Sequence, residues 1–354
     1  MFHVTLFFTL YGADLFIWRR AAIDYKTILG VSPHHSYQYV IRGSASMAYI
    51  VFSCFLLYVL TITGMLRDVG EVDSLKHLWP ALAVFLPMLL FVCPSDRIVS
   101  PCFGSQGHGY QQRLGFIRNA LAVLCTPFTE TTFLRSFIAD IFCSMPKIFN
   151  DMEYTACLYV TGSFWDLYLY AHRRFFWSGS AINKWLTRFL SFVPFLIRFL
   201  QVMRAYRDTN QTKNLFNGVK YILCMSMASL AIARSVYRED DASSTTPLDL
   251  AWIIVSSITT LYAFFWDTVM DWGLFECIWG TTRSTNVNVH RPWMLRETMY
   301  FTPRVYYFAV CGNFVMRLGW AFLISPEQPY VKQNYILLLG SVELFRRSVW
   351  AIFR

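Results

Sequence analysis

Residues 44–66 carry no charge, and the uncharged stretch is bounded by Arg42 and Arg67. That run constrains the fold more than any other feature, because about 20 apolar residues in a helix cross roughly 30 Å of hydrocarbon. Residues 77–94 form a second such run, and less clean ones recur at 2–18, 185–203, 215–233, 250–272, 305–324 and 334–353. Residues 132–170 are too long for one straight span and read as a single helix interrupted near Pro146 and Asn150. The sum is about nine crossings of an all-α, polytopic transmembrane helical bundle.

Composition agrees. A chain of 354 residues with 55% apolar, 18% aromatic and 15% charged residues leaves little for a soluble domain. It excludes an ordinary cytosolic enzyme, a disordered protein and a secreted disulfide scaffold. Nine cysteines form no C-x-x-C pair, seven histidines form no H-x-x-x-H, and no glycine-rich phosphate loop is present. No cofactor and no structural metal is expected. The organisation expected is 1–130 as N-terminal transmembrane helices with an amphipathic surface helix at 113–128, then 131–354 as a transmembrane core.

The net charge of +9 is distributed in blocks. Arg19, Arg20, Lys26 and Arg42 fall in one loop, Arg97, Arg113 and Arg118 in another, Arg204, Arg207, Lys213 and Lys220 in a third, and Arg346, Arg347 and Arg354 near the last residues. The positive-inside rule makes these cytoplasmic, with Asp68, Glu71 and Asp73, and Glu239, Asp240 and Asp241, on the opposite side. Arg173, Arg174 and Lys184 disagree. The first residues are then lumenal or outside and the last cytoplasmic, and the sequon Asn210-Gln211-Thr212 faces the cytoplasm and stays unmodified. Residues 2–18 contain Asp14 and lack a basic start, so they read as a retained span, not a signal peptide.

Charges inside the apolar runs carry the functional information, because each costs roughly 2.5–3.5 kcal/mol at mid-bilayer and so faces a bundle interior or a wet path. Asp267 and Asp271 are four apart and share a helix face. Arg317, Arg346 and Arg347 are candidate answering cations, with Asp140 and Lys220-Tyr221 near the starts of other spans. Three readings fit these residues: interhelical glue, a divalent-metal site of a membrane transferase on D-x-x-x-D, or an oxyanion pathway in which arginine forks bind and aspartates keep binding reversible. The residues favour the third.

At Pro-Phe-Leu-Ile-Arg-Phe-Leu-Gln (194–201, continuing to 209), Asn-Gly-Val-Lys-Tyr (217–221), Trp-Asp-Thr-Val-Met-Asp-Trp-Gly-Leu-Phe (266–275), the R-x-x-W of Arg317 and Trp320, and Glu-Leu-Phe-Arg-Arg-Ser-Val-Trp (343–350, continuing to 354), the sequence resembles the EXS-domain family, which includes animal and plant phosphate exporters. The resemblance implies movement of inorganic phosphate through a path that would fall here on Asp140, Lys220, Tyr221, Asp267, Asp271, Arg317, Trp320, Glu343, Arg346 and Arg347, with no enzymatic chemistry. Cys143 stands where relatives can carry a polar amide. The chain looks like a short member without the SPX domain, similar to the short Golgi EXS proteins of yeast. Golgi membrane is therefore the expected location, with the plasma membrane as alternative, and direct control by inositol pyrophosphates is not expected. The implied partners are inorganic phosphate and the lipid bilayer, not nucleic acid. A second copy of the chain and glycosyltransferases or trafficking machinery are further candidates, the last giving the alternative reading of a Golgi retention factor.

Overall fold

The computed structural model describes residues 1–32, 35–65, 72–104, 109–160, 181–240, 246–275, 295, 299–323 and 329–354, and helix is the only regular structure among them. In order these are α1 (Phe2–Arg20), α2 (Tyr25–Leu29), α3 (Tyr37–Ile62), α4 (Val72–Val92), α5 (Asp96–Phe103), α6 (Gly109–Leu124), α7 (Phe133–Ser144), α8 (Pro146–Val160), α9 (Ala181–Thr209), α10 (Thr212–Asp240), α11 (Pro247–Phe265), a π-helical segment (Trp266–Asp271), α12 (Pro303–Arg317), a 3-10 segment (Leu318–Leu323) and α13 (Pro329–Phe353). The break expected near Pro146 lies at Met145, between α7 and α8. Continuation beyond 160 lies outside the described residues.

Among the described residues four helices are long and apolar enough to cross a membrane: Tyr37–Ile62, Arg188–Thr209, Thr212–Arg234 and Pro247–Asp271. The pair Leu78–Val92 and Asp96–Phe103, bent by 118°, makes five if counted as one span. The count is thus below the expected nine. α1 and α13 are helical but charged: Asp14, Arg19 and Arg20 punctuate the first, and Glu343, Arg346 and Arg347 the second. Large apolar side chains face outward on the apolar helices, while some charged ones are buried. Tyr49, Phe52 and Phe55 on α3 are 73%, 64% and 60% exposed, while Asp267 and Arg346 are buried.

The helices form two compact units, residues 1–125 with 132–194 and residues 126–131 with 195–354. α7 and α8 fall in the first. There α1 packs on α3, with Gly12 so close to Ile41 that a Cβ would lie 2.7 Å from its side chain. Tyr39, Met47, Val99 and Phe103 make a buried cluster. α6 does not present Arg113 outward as the surface-helix reading expected. That residue is 3% exposed, and its guanidinium donates to the Phe91 and Cys93 carbonyls at 3.1 and 2.8 Å and to Tyr39 Oη. It closes the last carbonyls of α4 where the chain turns into α5.

The second unit holds the end of α9 and α10 to α13. Pro247 at the first turn of α11 and an Asp249 carboxylate accepting from the Thr246 backbone N–H at 2.9 Å start that helix. Arg234 reaches back from α10 to Asp249 at 2.6 Å and lies over Trp252. α10 and α11 pack against each other, and Tyr262 Oη of α11 donates to the Phe216 carbonyl of α10 at 2.9 Å.

Candidate functional site

α11 does not end as an α-helix. At Trp266 it widens into a π-helical turn, and the backbone N–H of Trp272 bonds the carbonyl of Asp267 at 3.0 Å. Such turns insert one residue and re-aim the side chains that follow, often at functional sites. Here the two aspartates acquire different partners on α13. Asp267 Oδ2 accepts from Arg346 Nη1 at 2.9 Å and from Arg317 Nη2. Asp271 Oδ2 accepts from the Trp350 indole N–H at 3.2 Å, and its Oδ1 lies 3.9 Å from Arg354 Nε. Arg346 and Trp350 are four apart on α13 and Arg354, four further on, directly follows it, so the carboxylates meet successive positions of one face.

Arg346, 1% exposed, is the hub. Besides Asp267 it donates to Asn313 Oδ1 on α12 at 3.1 Å and bidentately to Glu343, at 2.8 and 2.5 Å. Glu343 also lies 3.4 Å from Arg347 Nε. Bidentate pairing fixes both the charge and the plane of a guanidinium. Lys220 on α10 places its ammonium 4.9 Å from the Tyr221 ring centre and 5.6 Å from that of Trp266, and acts on Asp267 through its charge. Tyr221 Oη in turn accepts from Arg198 Nε at 3.0 Å, and Arg198 is held by Gln201 at 2.5 Å.

Lys220, Tyr221, Asp267, Arg317, Glu343, Arg346 and Arg347 therefore converge, with Asp271 one turn away. Among the described residues, Lys220, Arg317, Arg346 and Arg347 face Asp267 and Glu343, four cations and two carboxylates, a set that suits an anion. The same surroundings oppose a divalent cation at D-x-x-x-D, since each carboxylate already answers arginines or an indole N–H. Basic residues assigned to orienting loops are instead buried: Lys220 is 5%, Arg346 1% and Arg347 8% exposed. Asp140 is 1% exposed on α7 of the first unit. Cys143 nearby donates its thiol to the Pro194 carbonyl at 3.4 Å. The backbone of Trp320 lies in the 3-10 segment, and its side chain is outside the described residues.

Asn313, Trp350 and Arg198 enter the site without having been singled out as site residues in the sequence. Asn313 and Trp350 are neutral and so invisible to a search for charges in apolar runs, though each stands four residues from a chosen arginine. Arg198 lies within the family-like segment 194–209 but has no acidic partner nearby in sequence.

A model described as the EXS family matches residues 1–354. Similar curated proteins include SPX and EXS domain-containing protein 1 of Dictyostelium discoideum, 27% identical over 358 residues, covering 98% of this chain and 35% of the relative. Phosphate transporter PHO1 homolog 1 of Arabidopsis thaliana is 28% identical over 357 residues, 98% of this chain and 40% of the relative. Solute carrier family 53 member 1 of Homo sapiens is 24% identical over 363 residues, 98% of this chain and 48% of the relative. The chain thus spans less than half the length of these three relatives.

Proposed function

The chain belongs to the EXS family, and on that premise we propose that it is a multi-span membrane protein that moves inorganic phosphate along a path lined by the arginine–carboxylate cluster of its second unit. The observation that carries this reading is the buried set of cations around Asp267 and Glu343. Arg317, Arg347, Lys220 and Tyr221 meet the anion in this reading, while Arg346 holds Asp267, Glu343 and Asn313 in place. Asp271 lies one helical turn from the cluster, and Asp140 and Trp320 enter the proposal on the family resemblance alone. Relatives whose names state phosphate transport support the substrate.

The wider proposal is of about nine crossings, cytoplasmic last residues, and a Golgi membrane setting in which phosphate returns from lumen to cytosol, with export at the plasma membrane as the alternative. Transport, not covalent catalysis, is the activity. One observation favours a second reading, in which the charged core is structural and the protein serves trafficking: Arg346 makes four hydrogen bonds to protein groups among the described residues, as a packing residue would.

Phosphate flux by purified protein in liposomes separates the two. Arg347→Ala is expected to abolish flux while membrane insertion and detergent-solubilised folding stay intact. Asp271→Ala is expected to change flux more than assembly. Normal flux in Arg347→Ala would sink the path assignment, and absence of flux in the unaltered protein would favour the trafficking reading.

A further inference from the structure

The cluster contains polar atoms that its internal bonding leaves unused. Asp267 and Asn313 are 0% and 1% exposed, yet Asp267 Oδ1 and Asn313 Nδ2 have no hydrogen-bond partner among the described residues, and neither does the buried Nε of Arg317. These atoms belong to side chains tied to one another: Asp267 Oδ2 is held by Arg317 and Arg346, and Arg346 Nη1 also holds Asn313 Oδ1. The bonded halves fix the orientation of the unbonded halves. Because Arg346 engages the amide oxygen, the Asn313 amide must present its NH2 as a donor. Because two guanidiniums engage Oδ2, Asp267 presents Oδ1 as an acceptor and nothing else. Burying such groups without partners costs free energy, so unpaired native ones call for an explanation.

Two donors and one carboxylate acceptor are an odd set for a plain anion. A fully deprotonated oxyanion such as sulfate offers only acceptors, and its oxygens repel Oδ1. An oxyanion that keeps a proton at neutral pH offers both: oxygens for Asn313 Nδ2 and Arg317 Nε, and an O–H for Asp267 Oδ1. Resting on the phosphate-path reading, we propose that Asp267 and Asn313 select the oxyanion by its proton, Asp267 accepting the O–H of hydrogenphosphate while Asn313 donates to a second oxygen. The site passes phosphate and arsenate, which both carry a proton near neutral pH, and rejects sulfate, which does not. A site built to hydrogen-bond a substrate O–H rejects analogues that lack it strongly, because its own buried polar group is then left unpaired.

The test is flux of labelled phosphate into liposomes containing the full chain, with arsenate or sulfate as competitor at pH 7. Arsenate is expected to compete at concentrations similar to phosphate, and sulfate to require at least about 100-fold more. Asp267→Asn, which can turn a donor toward the same place, is expected to bring sulfate within about tenfold of phosphate. Asn313→Ala is expected to raise the KM for phosphate about tenfold while the phosphate-to-sulfate ratio stays unchanged, since its donor serves either ion. If Asp267→Asn fails to assemble, Asp267→Glu is read instead and is expected to keep sulfate excluded at whatever rate it retains. Phosphate flux in the unaltered protein with sulfate competing as well as arsenate, or a ratio unmoved by Asp267→Asn, overturns the selection by proton and leaves the path standing. No phosphate flux at all overturns the path itself.

Discussion

His35 sits between α2 and α3, outside the apolar spans, with Nε2 3.2 Å from Tyr11 Oη. Burial pushes its imidazole down to about 4; the Gln112 side chain, by hydrogen bonding, opposes this, and the charge of Lys26 adds a smaller downward push. In an unfolded chain the ring titrates near 6.5. Between those values the unfolded chain binds the proton and the native one does not, so the neutral ring's contribution is complete above about pH 6.5 and is lost as pH falls toward 4. At pH 5 the loss is about 2 kcal/mol as an upper figure. Thermal unfolding in detergent from pH 7 to pH 4.5 is expected to show a steeper drop for the natural protein than for His35→Gln. Parallel curves would show that the ring is not buried neutral. This histidine was not legible as a sensor in the sequence, where it is one of two adjacent histidines with no patterned partner. The arginines and aspartates of the second unit were legible, because a charge in an apolar run is conspicuous whatever it contacts. What the sequence hid was which charge meets which: Asp267 and Asp271 share a helix face with candidate answering arginines, and each is answered separately, Asp267 by Arg346 and Asp271 by Arg354.

Elements divide in the same way. α3, α10 and α11 follow the apolar runs closely, and the α7–α8 break follows from Pro146. The 118° bend between α4 and α5 falls where the apolar run 77–94 gives way to Ser95-Asp96-Arg97, but the pattern marks only a break and not its angle. It depends on a residue far along the chain. Arg113 supplies donors to the carbonyls of Phe91 and Cys93 and pairs with Asp96 at 3.3 Å, so one α6 side chain ties the end of α4 to the start of α5. Arg113→Met keeps the bulk and removes the donors. It is expected to cost about 3 kcal/mol, at the low end for a broken buried pair because Asp96 keeps partial exposure. A lower unfolding midpoint with unchanged helical circular dichroism in detergent checks it. An unchanged midpoint would mean that the bend holds itself through packing of Val99 and Phe103 on α3. The π-helical turn was equally hidden. Trp-Asp-Thr-Val-Met-Asp keeps an ordinary helical pattern, and the backbone bond from Trp272 N–H to the Asp267 carbonyl reveals the extra residue.

At the scale of the whole molecule the net charge of +9 has two destinations. Arg113, Lys220, Arg346 and Arg347 are buried in contacts and do not report on membrane sides as loop residues do. The exposed Arg207 and Lys213 flank the turn between α9 and α10, whereas Glu239 and Asp240 end α10 and Asp241 follows it in sequence. α9 and α10 are both long and apolar enough to cross, and the proposed orientation, read from Lys and Arg, has the α9–α10 turn in the cytoplasm and the next loop on the other side. Acceptor sites for N-glycosylation, carried on a flexible spacer long enough to clear the membrane, are expected to remain unmodified when inserted after Asn210 and to be modified when inserted after Asp241. The reverse pattern would invert the orientation and, with it, the direction assigned to the path. Modification at neither place would mean that α10 does not cross, and would remove Lys220 and Tyr221 from a transmembrane route altogether, because both lie on that helix beside the cluster they are proposed to serve.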